Sequence, residues 1–190
     1  MSKREEKAAA TRRQFLDAAF ECLHELGYHG TSTVAVCEKA GLARGTMLHH
    51  FPNKQALVLA TLEDVLARRV ADFQTQLVGT DPSDLASMVR QLWSAVKGPA
   101  FWAWLELAVA SRTDPVLAKE FRSVMNRFES LVSTVVERSI SPEAAMGYDL
   151  KLGVSLVFSA LNGLALDLVQ VDEVVVEEKV KLLIAWLSER

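Results

Sequence analysis

The sequence predicts an all-α protein of about nine helices. Along most of its 190 residues, apolar side chains recur at intervals of three and four, which is the spacing of one face of an α-helix. Glycine, proline and helix-capping residues interrupt this pattern repeatedly, as they do between helices. No segment shows the apolar–polar alternation of a half-buried strand. These observations favour a bundle of helices over a mixed fold.

Composition is ordinary for a soluble globular protein, with 50% apolar and 24% charged residues. The net charge of −3 is unevenly distributed. Residues 1–54 carry eight Lys and Arg against six Asp and Glu, whereas the remaining residues carry thirteen against eighteen. A mildly basic first part suits local contact with DNA without nonspecific coating of it.

The first helix is predicted from about Ala9 to Leu26, after a terminus that we expect to be loose. Gly27 is expected to end the helix as its C′ residue. One apolar stripe runs along the helix and comprises Phe15, Ala18, Ala19, Cys22, Leu23 and Leu26.

The stretch from Thr31 to Lys54 predicts two short helices joined by a tight turn. Ser32 is a suitable N-cap for the first helix, and Gly41 supplies the positive φ that the turn requires. The inward face of the first helix comprises Val36, Cys37 and Ala40. This pattern is typical of a helix-turn-helix, whose second helix can enter the major groove. The alternative is an ordinary helical hairpin within a bundle.

In the second helix of the pair, Met47 and Phe51 are expected to point inward with Leu42, and Pro52 ends the helix. The outward positions are Arg44, Gly45, Thr46, Leu48, His49 and His50.

On these residues the chain is identified as a member of the tetracycline-repressor (TetR) family, because the region resembles the DNA-binding domain of that family. The matching motifs are Ala40-Gly41-Leu42, Gly45-Thr46 and Phe51-Pro52-Asn53-Lys54. The resemblance runs from about Ala9 to Leu62. It implies a DNA-binding domain over residues 9–69, with the helix-turn-helix at 32–51, and an effector-binding and dimerisation domain over residues 70–190.

Two positions depart from the family pattern. Ala43 stands where the family often has a capping Ser, so about 1 kcal/mol of capping is expected to be lost. Leu48 stands where Tyr is usual; it has no hydroxyl for a phosphate, but it can pack on a thymine methyl group.

Arg44 is predicted to read the edge of a guanine, the usual partner of Arg in the major groove. Thr46, His49 and His50 are predicted to touch bases or phosphates, and residues near helix N-termini are predicted to hold the phosphate backbone. The complete predicted DNA-contacting set is Ser32, Thr33, Arg44, Gly45, Thr46, Leu48, His49, His50 and Lys54.

Six further helices are predicted beyond the helix-turn-helix. Helix breaks are indicated at Gly79-Thr80-Asp81-Pro82, Gly98-Pro99, Asp114-Pro115 and Ser141-Pro142. The first of the predicted helices covers about 54–78, and the second runs from a cap at Asp81 or Ser83 to about residue 96. The other four cover about 100–111, 115–138, 142–169 and 174–188.

The last two helices are apolar around most of their circumference, which predicts burial on more than one side. A second copy of the chain can supply the second side, and the family resemblance implies a dimer built from a four-helix bundle. The alternative is a monomer with a fully internal helix. The predicted interface comprises Leu156, Ala160, Leu161, Gly163, Leu164, Val180, Leu183 and Leu187.

The middle of the chain is rich in aromatic residues and Met, which can simply fill a core. The resemblance implies that this region encloses an effector pocket, and such pockets are mostly apolar with a few polar anchors. The candidate lining residues are Met88, Arg90, Trp93, Trp102, Glu106, Met125, Phe128 and Asn162.

Other classes of protein find little support. The four His form no evident acid–base pair, and no HExxH, GxSxG or glycine-rich phosphate loop is present. Cys22 and Cys37 fall on inward helical positions and fit no metal or disulfide spacing, so no metal or cofactor is expected. With no signal peptide and no run long and apolar enough for a bilayer, a cytoplasmic location without membrane contact is expected.

The predicted function is therefore that of a homodimeric DNA-binding transcription regulator. We expect a repressor that a small, largely apolar effector releases from an inverted-repeat operator in double-stranded DNA. The alternative is a DNA-binding regulator controlled by a protein partner.

Overall fold

The computed structural model describes residues 2–77, 81, 84–139 and 149–188. Within these residues the chain forms nine α-helices and no strand, which confirms the predicted all-α class. The helices are α1 (Lys3–Gly30), α2 (Thr33–Ala40), α3 (Arg44–His50), α4 (Lys54–Leu77), α5 (Leu85–Val96), α6 (Pro99–Ser111), α7 (Pro115–Ser139), α8 (Leu150–Asp167) and α9 (Glu173–Ser188).

Helix α1 begins earlier than the sequence pattern predicts. Ser2 and Glu5 form a capping box, in which each side chain accepts a hydrogen bond from the backbone of the other. The expectation of a loose segment before Ala9 is therefore wrong. Near the other end Gly27 has a φ of 66° and bends the helix; its carbonyl accepts hydrogen bonds from the backbone and hydroxyl of Thr31.

The chain divides into two compact units. The first comprises residues 1–66 together with 102–125, and the second comprises 67–101 together with 126–190. The boundary within α4 lies close to the predicted one at residue 69. Unlike the predicted division, however, the first unit also contains most of α6 and the start of α7.

The core of the first unit lies between α1, α2, α3 and the start of α4. Its members are buried apolar residues whose helical spacing already indicated the inward faces. They are Phe15, Leu16, Ala18, Ala19, Cys22, Val36, Cys37, Ala40, Met47, Phe51 and Leu57.

In the second unit, α5 packs against both α8 and α9. Trp93 Nε1 donates to Glu177 Oε1 at 2.9 Å, and Lys97 Nζ donates to the same oxygen at 2.8 Å. These bonds fix α9 to α5 through side chains 80 and 84 residues apart in sequence.

Helices α5 and α8 begin at Asp caps that the sequence pattern did not single out. Asp84 accepts from Ser87 N, and Asp149 accepts from Lys151 N and Leu152 N. The predicted start at Ser141-Pro142 and most of the predicted break at residues 79–82 lie outside the described residues. None of the described helices is long and apolar enough to cross a membrane.

Candidate functional site

The geometry of the helix-turn-helix follows from its local sequence. The Ser32 hydroxyl accepts from Ala35 N at 3.1 Å and caps α2. Gly41 ends α2 in the left-handed region, at a φ of 64°, and its N–H is bonded to the carbonyls of Cys37 and Glu38. Met47 and Phe51 are buried and anchor α3 against the core. The opposite face of α3 is therefore presented outward.

Helix α3 carries six of the nine predicted DNA-contacting residues, and Ser32 and Thr33 lie at the start of α2. Ser32, Arg44, Gly45, Thr46, Leu48 and His49 are exposed, and Thr33 and His50 are partly buried. The His50 ring lies 5.6 Å from that of His49 and 6.3 Å from that of Phe15. Ala43 has the extended backbone of an N-cap residue but no capping side chain. The start of α3 therefore offers free backbone N–H groups beside Arg44.

Several neighbouring cations are engaged within the chain. Lys39 Nζ is bonded to Glu25 at 2.8 Å and lies 3.4 Å from Glu21. Arg13 pairs with Asp64 at 2.8 Å. Arg44, in contrast, makes no ion pair with a described residue. Its guanidinium is available for an external acceptor, as base reading requires.

Lys54 has a different role from the predicted phosphate contact. Its Nζ donates to the Tyr28 carbonyl at 2.5 Å and lies 4.2 Å from the centre of the Tyr28 ring. Burial lowers the pKa of this ammonium group. We therefore assign Lys54 to holding the end of α1 at Tyr28, a contact that spans 26 residues of sequence.

Glu106 likewise departs from its predicted place in an effector pocket. Its Oε2 accepts from the Tyr28 N–H at 2.6 Å. The same carboxylate fills the space beside Gly27, where a Cβ atom would lie 2.8 Å from Oε2. Glu106 thus binds α6 to the bend of α1, and the absence of a side chain on Gly27 makes room for it.

An open depression of about 540 Å³ lies beside the start of α3, and no sequence argument predicted it. Its lining residues are Val34, Cys37, Glu38, Gly41, Leu42 and Arg44. Val34 is 51% exposed. The sequence held one sign of this depression, because Val34 is apolar but lies outside the inward stripe of α2.

The remaining candidates for the effector pocket are divided between the two units. Trp102, Glu106 and Met125 belong to the first unit; Met88, Arg90, Trp93, Phe128 and Asn162 belong to the second. Met88 and Trp93 are buried, whereas Arg90 is exposed. Phe128 packs edge-to-face on Phe158, with ring centres 5.8 Å apart. The eight predicted pocket residues are thus shared between the two units.

The predicted dimer interface mixes two faces of α8 and α9. Leu161 and Val180 are 0% and 2% exposed within the chain, so they belong to its own core and are withdrawn from the interface. Ala160, Leu164, Leu183 and Leu187 are partly buried, while Leu156 and Gly163 are exposed. The large apolar residues that stay exposed on these helices are Leu152, Leu156, Leu166, Val174, Val175, Leu182 and Trp186.

Comparison with known proteins extends this description. The sequence profile of the family described as "Bacterial regulatory proteins, tetR family" matches residues 15–61. The chain is 29% identical over 167 residues to the HTH-type transcriptional regulator CymR of Pseudomonas putida, and the match covers 84% of this chain and 80% of CymR.

Solved structures show the same fold. The fatty acid degradation regulator FadR from Bacillus halodurans superposes with a TM-score of 0.72 at 20% identity, covering 93% of this chain and 97% of FadR. FadR from Bacillus subtilis, solved in complex with stearoyl-CoA, gives a TM-score of 0.66 at 18% identity, covering 90% and 96%.

The profile match falls on the helix-turn-helix, and the similarity to CymR and to the solved regulators extends over most of the chain. Residues 15–61 therefore form a TetR-family DNA-binding domain, and the chain is a DNA-binding transcription regulator rather than an enzyme.

Proposed function

We propose that this regulator is a homodimeric repressor that binds an inverted-repeat operator and is released from it by a small effector. The observation that carries the DNA-binding part is the exposed face of α3, where Arg44 stands without an ion-pair partner among the described residues. Positive charge and hydrogen-bond donors at a helix N-terminus are the groups that a major groove and its phosphates bind.

The exposed apolar face of α8 and α9 supports the dimer. Leu156 is 70% exposed and Trp186 is 62% exposed, although the same helices also carry the buried residues Leu161 and Val176. Apolar surface of this kind on adjacent helices is typical of a protein interface. A two-fold dimer presents two copies of α3, so its operator should be an inverted repeat.

Selection of DNA fragments from a random pool by the purified protein tests this proposal. The sequenced fragments should contain two inverted half-sites whose centres lie about one helical turn, ~34–36 Å, or a related spacing apart. A pool without an enriched motif would contradict specific DNA binding. An unrepeated half-site would contradict the two-fold dimer.

Two features support control by a small effector. The side-chain oxygen of Gln91 in α5 is buried and accepts no hydrogen bond from a described residue, so a ligand donor could satisfy it. In addition, the similar fold of FadR from Bacillus subtilis holds stearoyl-CoA. The effector that we propose is largely apolar, with a donor group for Gln91.

The effector can be identified by measuring the melting temperature of the protein in the presence of each compound of a metabolite library. The library should include acyl-CoA thioesters, fatty acids and aromatic acids. A true effector raises the melting temperature by mass action. Calorimetry with and without operator DNA then measures coupling, because DNA must weaken effector binding by the same factor that the effector weakens DNA binding, typically ~5–150-fold. Equal dissociation constants would contradict release by that ligand. If no ligand binds, control by a protein partner becomes the better proposal.

A further inference from the structure

The depression lined by Arg44 adjoins the start of α3. Its floor is apolar because Leu42, Cys37 and Val34 line it. Burial raises the pKa of the Cys37 thiol, which keeps this side chain neutral. Val34 is the most exposed of these residues, although Val36 in the same helix is fully buried.

We propose that this depression receives the C5-methyl group of a thymine and that Val34 is a base-reading residue. The inference rests on the proposed function, since it requires the helix-turn-helix to lie in a major groove. In that groove thymine presents a methyl group, and apolar side chains distinguish the base by contact with it. Val34 and Leu42 are side chains of this type.

The lining of the depression favours a base edge over the phosphate backbone. Glu38 is exposed and lines the depression. Its carboxylate would repel a phosphate placed there, whereas a methyl group carries no charge to be repelled. Arg44 lines the depression as well, so its rim carries one charge of each sign, and its apolar lining suits an uncharged methyl group better than a phosphate.

Arg44 fixes where the thymine should lie. Its side chain lines the same depression as Val34, so the two side chains would reach neighbouring base pairs. With Arg44 on a guanine, each half-site is expected to contain a thymine in a base pair next to that guanine. Leu48, the apolar residue predicted earlier to contact a thymine, does not line the depression and would read a separate position.

The test combines a substitution in the protein with the removal of one methyl group from the DNA. Val34→Thr replaces one methyl group of the side chain by a hydroxyl at nearly the same size. After DNA selection with the unsubstituted protein, each thymine of the half-site is replaced in turn by deoxyuridine, which lacks only the methyl group. At one position this change should weaken binding about fourfold per half-site, the effect of removing one buried methyl group.

Val34→Thr should reduce the effect of uracil at that position, because one of the two side-chain methyl groups is lost, and should leave the effect of other substitutions unchanged. Val116→Thr is the matched control, because Val116 is a 65% exposed valine on α7; it should retain the full uracil effect. The helical circular dichroism signal, followed during thermal melting, confirms that each variant folds.

Three results would overturn the assignment. The first is binding that responds to no thymine-to-uracil change, and the second is a uracil effect that Val34→Thr preserves but Leu48→Ala removes. The third is an equal loss for Val34→Thr on operator and random DNA, which would indicate a structural role. Each leaves specific DNA binding intact, so each is distinct from failure of the proposed function, in which the unsubstituted protein selects no DNA.

Discussion

At the scale of single residues, Tyr28 links the DNA-binding helices to α6. Its N–H is held by Glu106 and its carbonyl and ring by Lys54. The contact between Tyr28 and Glu106 spans 78 residues of sequence, and neither residue belongs to a local motif. Sequence patterns identify positions within one helix, so they did not indicate this contact. They assigned Glu106 to an effector pocket and Lys54 to a phosphate contact.

Glu106→Ala should lower the free energy of unfolding by about 1–3 kcal/mol, because it leaves the Tyr28 N–H without its charged acceptor. Glu106→Gln keeps an acceptor oxygen and should lose less. Thermal melting followed by circular dichroism measures both variants. If Glu106→Ala melts at the same temperature as the unsubstituted protein, the contact does not stabilise the fold.

At the scale of elements, the helix-turn-helix was predicted closely because its signals are local. Ser32, Gly41 and Pro52 mark the boundaries, and the inward positions follow helical spacing. For α8 the sequence was less informative. A helix that is apolar on two sides gives no sign of which side faces its own chain, so Leu161 and Leu156 were assigned together although the first is buried and the second exposed.

Ala43→Ser should stabilise α3. Ala43 already has the extended backbone of an N-cap residue, with a φ of −69° and a ψ of 142°, and lacks only the hydroxyl. A serine there should raise the free energy of unfolding by about 0.5–1 kcal/mol. Ser32→Ala, which removes an existing cap, is the matched control and should lower it by a similar amount. Denaturant titration tests both changes, and no gain for Ala43→Ser would show that α3 needs no cap.

The α5–α9 contact should make stability depend on pH. Lys97 and Trp93 lower the pKa of Glu177 below its usual value near 4.5, and Glu177 raises the pKa of Lys97. The stabilisation is therefore full between pH ~4.5 and pH ~10.5, and it declines as the pH falls through the lowered pKa of Glu177 or rises through the raised pKa of Lys97. Because both side chains are about one third exposed, the charge contribution is at most ~1 kcal/mol.

Glu177→Gln keeps an acceptor for Trp93 but removes the charge. Unfolding free energies of the two proteins should differ at pH 7 and converge as the pH falls below the lowered pKa of Glu177. A difference that is constant from pH 3 to pH 8 would mean that charge contributes nothing to this contact.

At the scale of the whole molecule, the exposed apolar face of α8 and α9 is expected to be the dimer interface. Leu156→Glu or Trp186→Glu would bury an unpaired charge in that interface at a cost of several kcal/mol. Light scattering should show monomers, and operator binding should fall with the loss of the second recognition helix.

Val116→Glu is the control for the dimer, since Val116 is a comparably exposed apolar residue on another helix. It should leave the oligomeric state unchanged. Leu161→Glu is unsuitable as a test because it would disrupt the core of the chain itself. A Trp186→Glu protein that remains dimeric at micromolar concentration would place the interface elsewhere.

The proposal that the outward face of α3 reads DNA through Arg44 is tested by the affinities of the Arg44→Ala variant for operator and for random DNA. Loss of one guanine contact should weaken operator binding by ~1–3 kcal/mol and relax base preference at one position per half-site. Binding to random DNA should fall by much less, because only a general electrostatic contribution is lost there. An equal loss on both kinds of DNA would contradict the account.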